Sequence, residues 1–149
     1  MLTQLVRMTL NECTAAVEQF YKTYGLRMAT SPTMSISPEE MELRHSLMAE
    51  ENDEYLQAAR EGNMVEVADA LGDMLYILCG TIISHGMQDV IADVFSTIQD
   101  SNMSKLGADG KPIFRADGKV LKGPGYFKPD IAGVLDRAGV SMEEKTGSL

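Results

Sequence analysis

The sequence has few cysteines, no long apolar run and no leader pattern, and each shortage excludes a class of protein. Cys13 and Cys79 stand singly in helical patterns, without a CxxC spacing or a histidine motif, so we expect buried reduced thiols and no zinc site. No uninterrupted apolar run approaches the ~20 residues that cross a bilayer. The first residues lack a basic region followed by an apolar segment and a cleavage site. We therefore expect a soluble protein of the cytoplasm with no membrane partner.

Basic residues are also scarce, since 13 Lys and Arg stand against 22 Asp and Glu, for a net charge of -9. This balance disfavours binding to a nucleic-acid polymer or to an anionic membrane. It still permits a small anionic substrate that is held by a local basic patch or by a metal ion. A chain of 149 residues, of which 44% are hydrophobic, is long enough for one domain with its own core.

Two helices are predicted in the first 61 residues. Apolar residues recur three and four apart from Leu2 to Tyr24, which predicts an amphipathic helix that is closed by Gly25. The segment SPEE then predicts a helix over 37–61, with the serine as N-cap, the proline at the first helical position and Glu40 reaching back to the cap.

The rest of the chain first continues with helical patterns and then, from Gly107, loses the helical spacing of apolar residues. A second capping pattern, NMVE, starts a third predicted helix over 63–85, and a fourth begins near Val90. Segment 107–124 has two short extended candidates around an Ala-Asp-Gly turn, which predicts a β-hairpin. A last short helix is expected within 128–139. We thus predict an all-α domain over 1–138, a four- to five-helix bundle with a short hairpin, and a flexible tail over 139–149.

Carboxylates continue the apolar stripes of the second and third predicted helices. Glu50 and Glu54 share a stripe with core leucines and Glu51 lies at its margin, while Asp69 and Asp73 lie four apart on the next helix. A solvated acidic face is the ordinary explanation for any one of them. As a group they have few basic partners, so partial burial would be unfavourable unless a cation intervened. Oxygen ligands without His or Cys select hard ions, Mg²⁺ or its substitute Mn²⁺.

Three segments resemble a known family. EENDE matches the E-E-x-x-E signature of the MazG-like all-α nucleoside triphosphate pyrophosphohydrolases, and ALGDMLY resembles the segment that follows in the next helix. The stretch SNMSKLGADGKPIFRADGKVLKGPGYFKPD is similar to the tail of a subgroup described as phosphoribosyl-ATP pyrophosphohydrolase-like. The superfamily also includes dimeric dUTPases. The resemblance covers most of the chain from the second predicted helix to Asp130.

The resemblance implies an activity and a state of assembly. It implies Mg²⁺-dependent cleavage between the α and β phosphates of a nucleoside triphosphate, which gives the monophosphate and pyrophosphate in nucleotide-pool sanitation. It also implies a homodimer or homotetramer, and the third predicted helix is apolar around much of its circumference, which calls for burial on more than one side. The alternative is a catalytically silent helical regulator that binds nucleotide or metal.

The resemblance also implies roles for individual residues. Glu50, Glu51 and Glu54 correspond to metal ligands or to the catalytic base, with the base left open between Glu50 and Glu51. Asp73 corresponds to the aspartate of an E-x-x-D element.

The sequence departs from that element at one position. Ala70 stands where the family often has glutamate. Asp69 is on the same helical face and can replace that ligand, and Glu66 with Asp69 offers a second match to E-x-x-D one turn upstream.

A basic segment follows the acidic helices. Residues 100–128 carry six Lys and Arg against three Asp, a local balance of 6 - 3 = +3. Asn102 and Lys105, three apart near a predicted helix end, suit a phosphate or ribose contact. Lys122 and Tyr126 bracket a Gly-Pro-Gly turn and are expected to complete the substrate pocket, either in the same chain or in a neighbouring subunit.

Overall fold

A computed structural model describes residues 7–140 of the chain. This part of the protein is all-α, as predicted, and contains no strand. The chain divides into two compact units, the first ending at Asp89 and the second beginning at Val90. The five helices are α1 (Leu10–Tyr24), α2 (Pro38–Glu61), α3 (Met64–Ser84), α4 (Ile91–Met103) and α5 (Ile131–Arg137).

Helix α1 begins later than its apolar periodicity predicts. Thr9 is the N-cap, and its side chain accepts a hydrogen bond from the Glu12 amide while the Glu12 carboxylate accepts one from the Thr9 amide. This reciprocal capping box satisfies two amides that would otherwise lack partners, and it fixes the start of the helix. The apolar repeat begins before this N-cap, so periodicity alone placed the start of the helix too early. Leu2 lies outside the described residues.

Helix α2 begins at Pro38 with Ser37 as its N-cap, as predicted. The Ser37 hydroxyl accepts from the Glu40 amide at 3.1 Å. The Glu40 side chain does not reach back to Ser37, however, because it pairs with Arg27 from the preceding loop. The same guanidinium donates to the Ser84 carbonyl at 2.8 Å, so one arginine joins the start of α2 to the end of α3.

The core of the first unit lies where α1 packs on α3. Val17, Tyr21, Cys79 and Ile83 are buried together, and Cys13 lies half-buried against them. Burial raises the pKa of the Cys79 thiol above its ordinary value. Both cysteines are free, which fits the reduced thiols expected from the sequence.

Helices α2 and α3 form the main helical pair of this unit. Only Gly62 and Asn63 separate them, so the two helices run antiparallel. Gly62 ends α2 in the left-handed conformation, and the Asn63 side chain caps α3 by accepting a hydrogen bond from the Glu66 amide. By length and composition α3 could cross a membrane, with a mean hydropathy of 1.5 over its most apolar window, a property shared by core helices of soluble proteins.

The loop between α1 and α2 is fastened to the end of α3. The Ala29 amide donates to the Ile83 carbonyl, and the Thr33 amide donates to the His85 carbonyl. Gly86 has a φ of +67°, and a Cβ built on it would lie 2.0 Å from the Ser31 carbonyl oxygen. Only glycine permits this close approach of the two backbones.

The second unit contains α4, α5 and the segment between them. The β-hairpin predicted for 107–124 is not supported, because this segment holds only an isolated antiparallel bridge between Phe114 and Val120 around the turn at Gly118. Both arms are exposed and have no third strand to pack on, and an isolated two-stranded pair is marginal in water. The tail predicted for 139–149 lies almost wholly outside the described residues.

Candidate active site

The five predicted metal-site residues form one group, in which the charges of the other four act on Glu51. Glu51 is half-buried on α2, and its pKa is raised by desolvation first, then by the charges of Glu54, Asp73, Glu50 and Asp69. Three of these residues come from α2 and two from α3, so the antiparallel pairing brings both acidic stripes to one place. The other four carboxylates are exposed, and Glu51 is the member that the fold draws inward.

One oxygen of Glu51 has no partner within the described part of the chain. Its Oε2 atom is buried and accepts no hydrogen bond. A buried carboxylate oxygen without a donor is unfavourable, and several neighbouring negative charges add to the cost. A cation at this position would remove both sources of destabilisation, so the donor set fits Mg²⁺ or Mn²⁺.

The carboxylates do not form a finished cage. Within residues 7–140, no three His, Cys, Asp or Glu side chains converge on one metal position. This arrangement suits Mg²⁺, which usually keeps several waters and binds through one or two carboxylates together with phosphate oxygens of the substrate. The five carboxylates are named the acidic half-site, since they do not by themselves form a cage of three ligands within the described residues.

Position 70 is where the sequence departs from the E-x-x-D pattern. Ala70 is 2% exposed, so the structure buries the position at which the resembled family often has a carboxylate. Asp69 is exposed and contributes to the field at Glu51, whereas Glu66 is exposed and is not among the charges that act on Glu51. Asp69 is thus better placed than Glu66 to serve in the site.

An arginine on the same helix was not predicted as a site residue. Arg44 is half-buried, seven residues before Glu51, and its Nη1 donates to the Tyr21 hydroxyl of α1. Both groups lie over Gly80 of α3, where a Cβ would come within 2.5 Å of the hydroxyl and 2.7 Å of Nη1. The sequence signal was weak: Arg44 is one of only two arginines among the acidic residues of α2.

The four predicted substrate-binding residues all lie in the second unit. Lys105 donates from Nζ to Asn102 Oδ1 at 2.7 Å, at the end of α4. The ammonium of Lys122 lies 4.5 Å from the centre of the Tyr126 ring. The Gly123 amide donates to the Lys105 carbonyl at 2.9 Å, which joins the segment that carries Lys122 to the segment that carries Lys105. The structure thus brings the two predicted pairs together within this unit.

The profile of the family described as phosphoribosyl-ATP pyrophosphohydrolase matches residues 17–102. The chain belongs to this family. The match covers more than half of the chain and includes all five clustered carboxylates, whereas Lys105, Lys122 and Tyr126 lie beyond its end. Membership makes the protein a pyrophosphohydrolase, as the resemblance of EENDE to the MazG-like signature implies.

One solved structure is similar to this family member over most of its length. It comes from Exiguobacterium sp. 255-15 and is described as a "putative NTP pyrophosphohydrolase". The two chains are 26% identical, with 86% of this chain and 94% of that chain covered and a TM-score of 0.44. No curated protein matches the chain.

Proposed function

We propose that this pyrophosphohydrolase cleaves nucleoside triphosphates between the α and β phosphates in a Mg²⁺-dependent reaction, releasing a monophosphate and pyrophosphate. The observation that carries the proposal is the buried, unpartnered Glu51 oxygen among four further carboxylates. Such a group is unfavourable by itself and becomes favourable when a divalent cation binds. The proposed role is sanitation of the nucleotide pool in the cytoplasm.

The metal would be held by the clustered carboxylates. Glu50, Glu51 and Glu54 supply oxygens from α2, and Asp69 and Asp73 supply them from α3. When bound, Mg²⁺ or Mn²⁺ would offset the negative charge of the carboxylates and of the substrate, and it would lower the pKa of a bound water. A triphosphate carries the same sign of charge as this site, so the cation is what permits the two to meet.

Glu51 is the stronger candidate for the catalytic base. It is the half-buried member of the cluster, and its Oε2 accepts no hydrogen bond from the described residues. In this role it orients the attacking water and takes its proton. Glu50 is exposed and is assigned to metal binding, with the base role as its alternative.

The basic residues of the second unit are proposed to bind the substrate. Lys105, oriented by Asn102, offers a charge-assisted contact to a phosphate oxygen or to the ribose. Lys122 and Tyr126 present a cation beside an aromatic face, which suits a phosphate next to a base or sugar. The support for this assignment is their clustering in a basic segment of an acidic protein.

Self-association is proposed from an exposed apolar stripe on α3. Leu71, Leu75 and Leu78 are spaced four and three apart, and they are 49%, 43% and 46% exposed. Neighbouring large apolar side chains on one helical face are unfavourable in water, and a second copy of this chain would bury them. We propose a homodimer or a homotetramer.

A silent regulator that binds nucleotide or metal is the second candidate. Ala70 favours it, because a carboxylate that the family often uses is missing. The two functions are separated by Glu51→Gln and Asp73→Asn. An enzyme loses turnover in both variants and keeps its fold, whereas a regulator has no turnover to lose.

A further inference from the structure

We infer that Arg44 binds the phosphate chain of the substrate, as a cationic residue of the active site that lies outside the E-E-x-x-E motif. The inference rests on the proposed function, since it concerns the same site. It is carried by three features of Arg44: its lack of an anionic partner, the space that the fold keeps open for it, and its position on α2.

Arg44 is a half-buried cation without an ion pair in the described part of the chain. Glu40 lies one turn earlier on the same helix, and the Arg44 charge is the smallest of the causes that lower the pKa of that carboxyl. Both Glu40 oxygens are nonetheless taken by Arg27, at 2.7 and 3.1 Å. A guanidinium has five N–H donors, and Arg44 donates one of them to the Tyr21 hydroxyl.

The fold keeps space for this guanidinium. Gly80 of α3 is buried, and a Cβ there would lie 2.7 Å from Arg44 Nη1 and 2.5 Å from the Tyr21 hydroxyl, so both side-chain ends would have to shift from their present positions. Three helices therefore meet at Arg44: α2 carries it, α1 provides the hydroxyl that orients it, and α3 provides the gap. An oriented guanidinium with free donors loses less entropy when it binds a phosphate than a mobile surface arginine does.

The position of Arg44 relative to the carboxylates suits a phosphate chain. Seven residues, two helical turns, separate it from Glu51, so both side chains point to the same side of α2, about 10 Å apart along its axis. This separation is comparable to the length of an extended triphosphate. The acidic half-site and Arg44 then act on one ligand with opposite charges: the carboxylates through a cation, and the arginine directly on phosphate oxygens.

The competing explanation is a structural one, in which Arg44 serves only to pack α2 on α1 through Tyr21. Variants at both ends of that hydrogen bond separate the two roles. Tyr21→Phe removes the bond and keeps the cation, while Arg44→Gln removes the cation. Arg60→Gln is the matched control, because Arg60 is an exposed arginine of the same helix that makes no ion pair in residues 7–140.

The test is titration calorimetry of the full chain with pyrophosphate in the presence of Mg²⁺, together with thermal unfolding of each variant. We expect Arg44→Gln to weaken pyrophosphate binding by about tenfold to hundredfold, the range for a lost charge-assisted hydrogen bond. We expect Arg60→Gln to bind like the wild type and Tyr21→Phe to lose much less affinity than Arg44→Gln. In this pattern Tyr21→Phe still lowers the Tm, because a partly buried hydrogen bond between α1 and α2 is lost.

Two results would overturn the inference. One is an Arg44→Gln protein that binds pyrophosphate as tightly as the wild type. The other is an equal loss of affinity in Tyr21→Phe, which would trace the effect to packing. Turnover of triphosphates by the wild type is measured separately: its absence would overturn the proposed function, while the affinity difference between Arg44→Gln and Arg60→Gln would still decide the role of Arg44.

Discussion

The Arg27 guanidinium holds both carboxylate oxygens of Glu40, at 2.7 and 3.1 Å, and thereby fastens the loop after α1 to the first turn of α2. The pKa of Glu40 is lowered below its ordinary value, chiefly by the hydrogen bond from Arg27. The folded state therefore holds the Glu40 proton less tightly than the unfolded state does. This contribution to stability is complete above the ordinary glutamate pKa, and it is lost as the pH falls through the lowered value.

Glu40→Gln is predicted to lower the Tm at neutral pH, and the difference from the wild type should shrink as the pH is lowered into the acid range. Thermal unfolding at a series of pH values measures this difference. Glu39→Gln, a neighbouring exposed glutamate of the same first turn, is the control and should show no comparable pH dependence. A difference that stays constant with pH would contradict the account of the Arg27 pair.

Gly86→Ala is predicted to destabilise the first unit by about 2 kcal/mol or more, because it combines an unfavourable positive φ with a clash. The added Cβ would lie 2.0 Å from the Ser31 carbonyl oxygen. Gly25→Ala is the matched control: Gly25 has a φ of +65°, and no atom lies within 4 Å of the added Cβ. Urea unfolding of both variants isolates the clash, and equal losses would show that the loop is not packed against Gly86.

Leu75→Glu is predicted to reduce the mass of the assembly, since it places a charge in the exposed stripe of α3. Light scattering with size-exclusion chromatography measures the mass. Met34→Gln, which replaces another exposed apolar side chain in the loop before α2, should leave the mass unchanged. A wild-type protein that is monomeric at micromolar concentration would contradict the proposed oligomer.

Lys105→Ala and Lys122→Ala are predicted to raise the KM for a triphosphate substrate by about tenfold each, the effect of losing one charge-assisted contact. The kcat should change less, because neither residue is assigned to the chemical step. Lys119→Ala serves as control, since Lys119 is an exposed residue in the turn region of the same unit. Steady-state kinetics in Mg²⁺ measures both constants. If the KM of both variants equalled that of the wild type, Lys105 and Lys122 would not be substrate-binding residues.

Local signals predicted most of the helices. Ser37 with Pro38, and Asn63 before α3, define helix starts through contacts within three residues, so the sequence alone was sufficient there. The Glu40 side chain was assigned wrongly because its partner, Arg27, is 13 residues away. The β-hairpin was predicted wrongly for a related reason. The turn residues can be read from the local sequence, whereas stable strands also need neighbouring elements to pack on, and the local sequence does not show these.

The candidate site was predictable only in part. Helical spacing placed Glu50 and Glu54 on one stripe, with Glu51 only at its margin, and Asp73 on the facing stripe. In the structure Glu51 is the half-buried residue, while Glu50 and Glu54 are exposed. Which carboxylate becomes half-buried depends on the register of α2 against α3, and the sequence does not contain that information in readable form. The contact of Arg44 with Tyr21, and the room that Gly80 leaves for it, involve three separate helices and were therefore missed.

The most direct test of the account is ³¹P NMR of the purified protein with Mg²⁺ and a panel of ordinary and modified nucleoside triphosphates, with Glu51→Gln beside the wild type. Asp53→Asn, an exposed carboxylate of the same helix, is the control. The account predicts monophosphate and pyrophosphate in equal amounts from the wild type and from Asp53→Asn. It predicts a rate lower by about hundredfold or more in Glu51→Gln, the loss expected for a missing base. Diphosphate with orthophosphate, or undiminished turnover in Glu51→Gln, would contradict it.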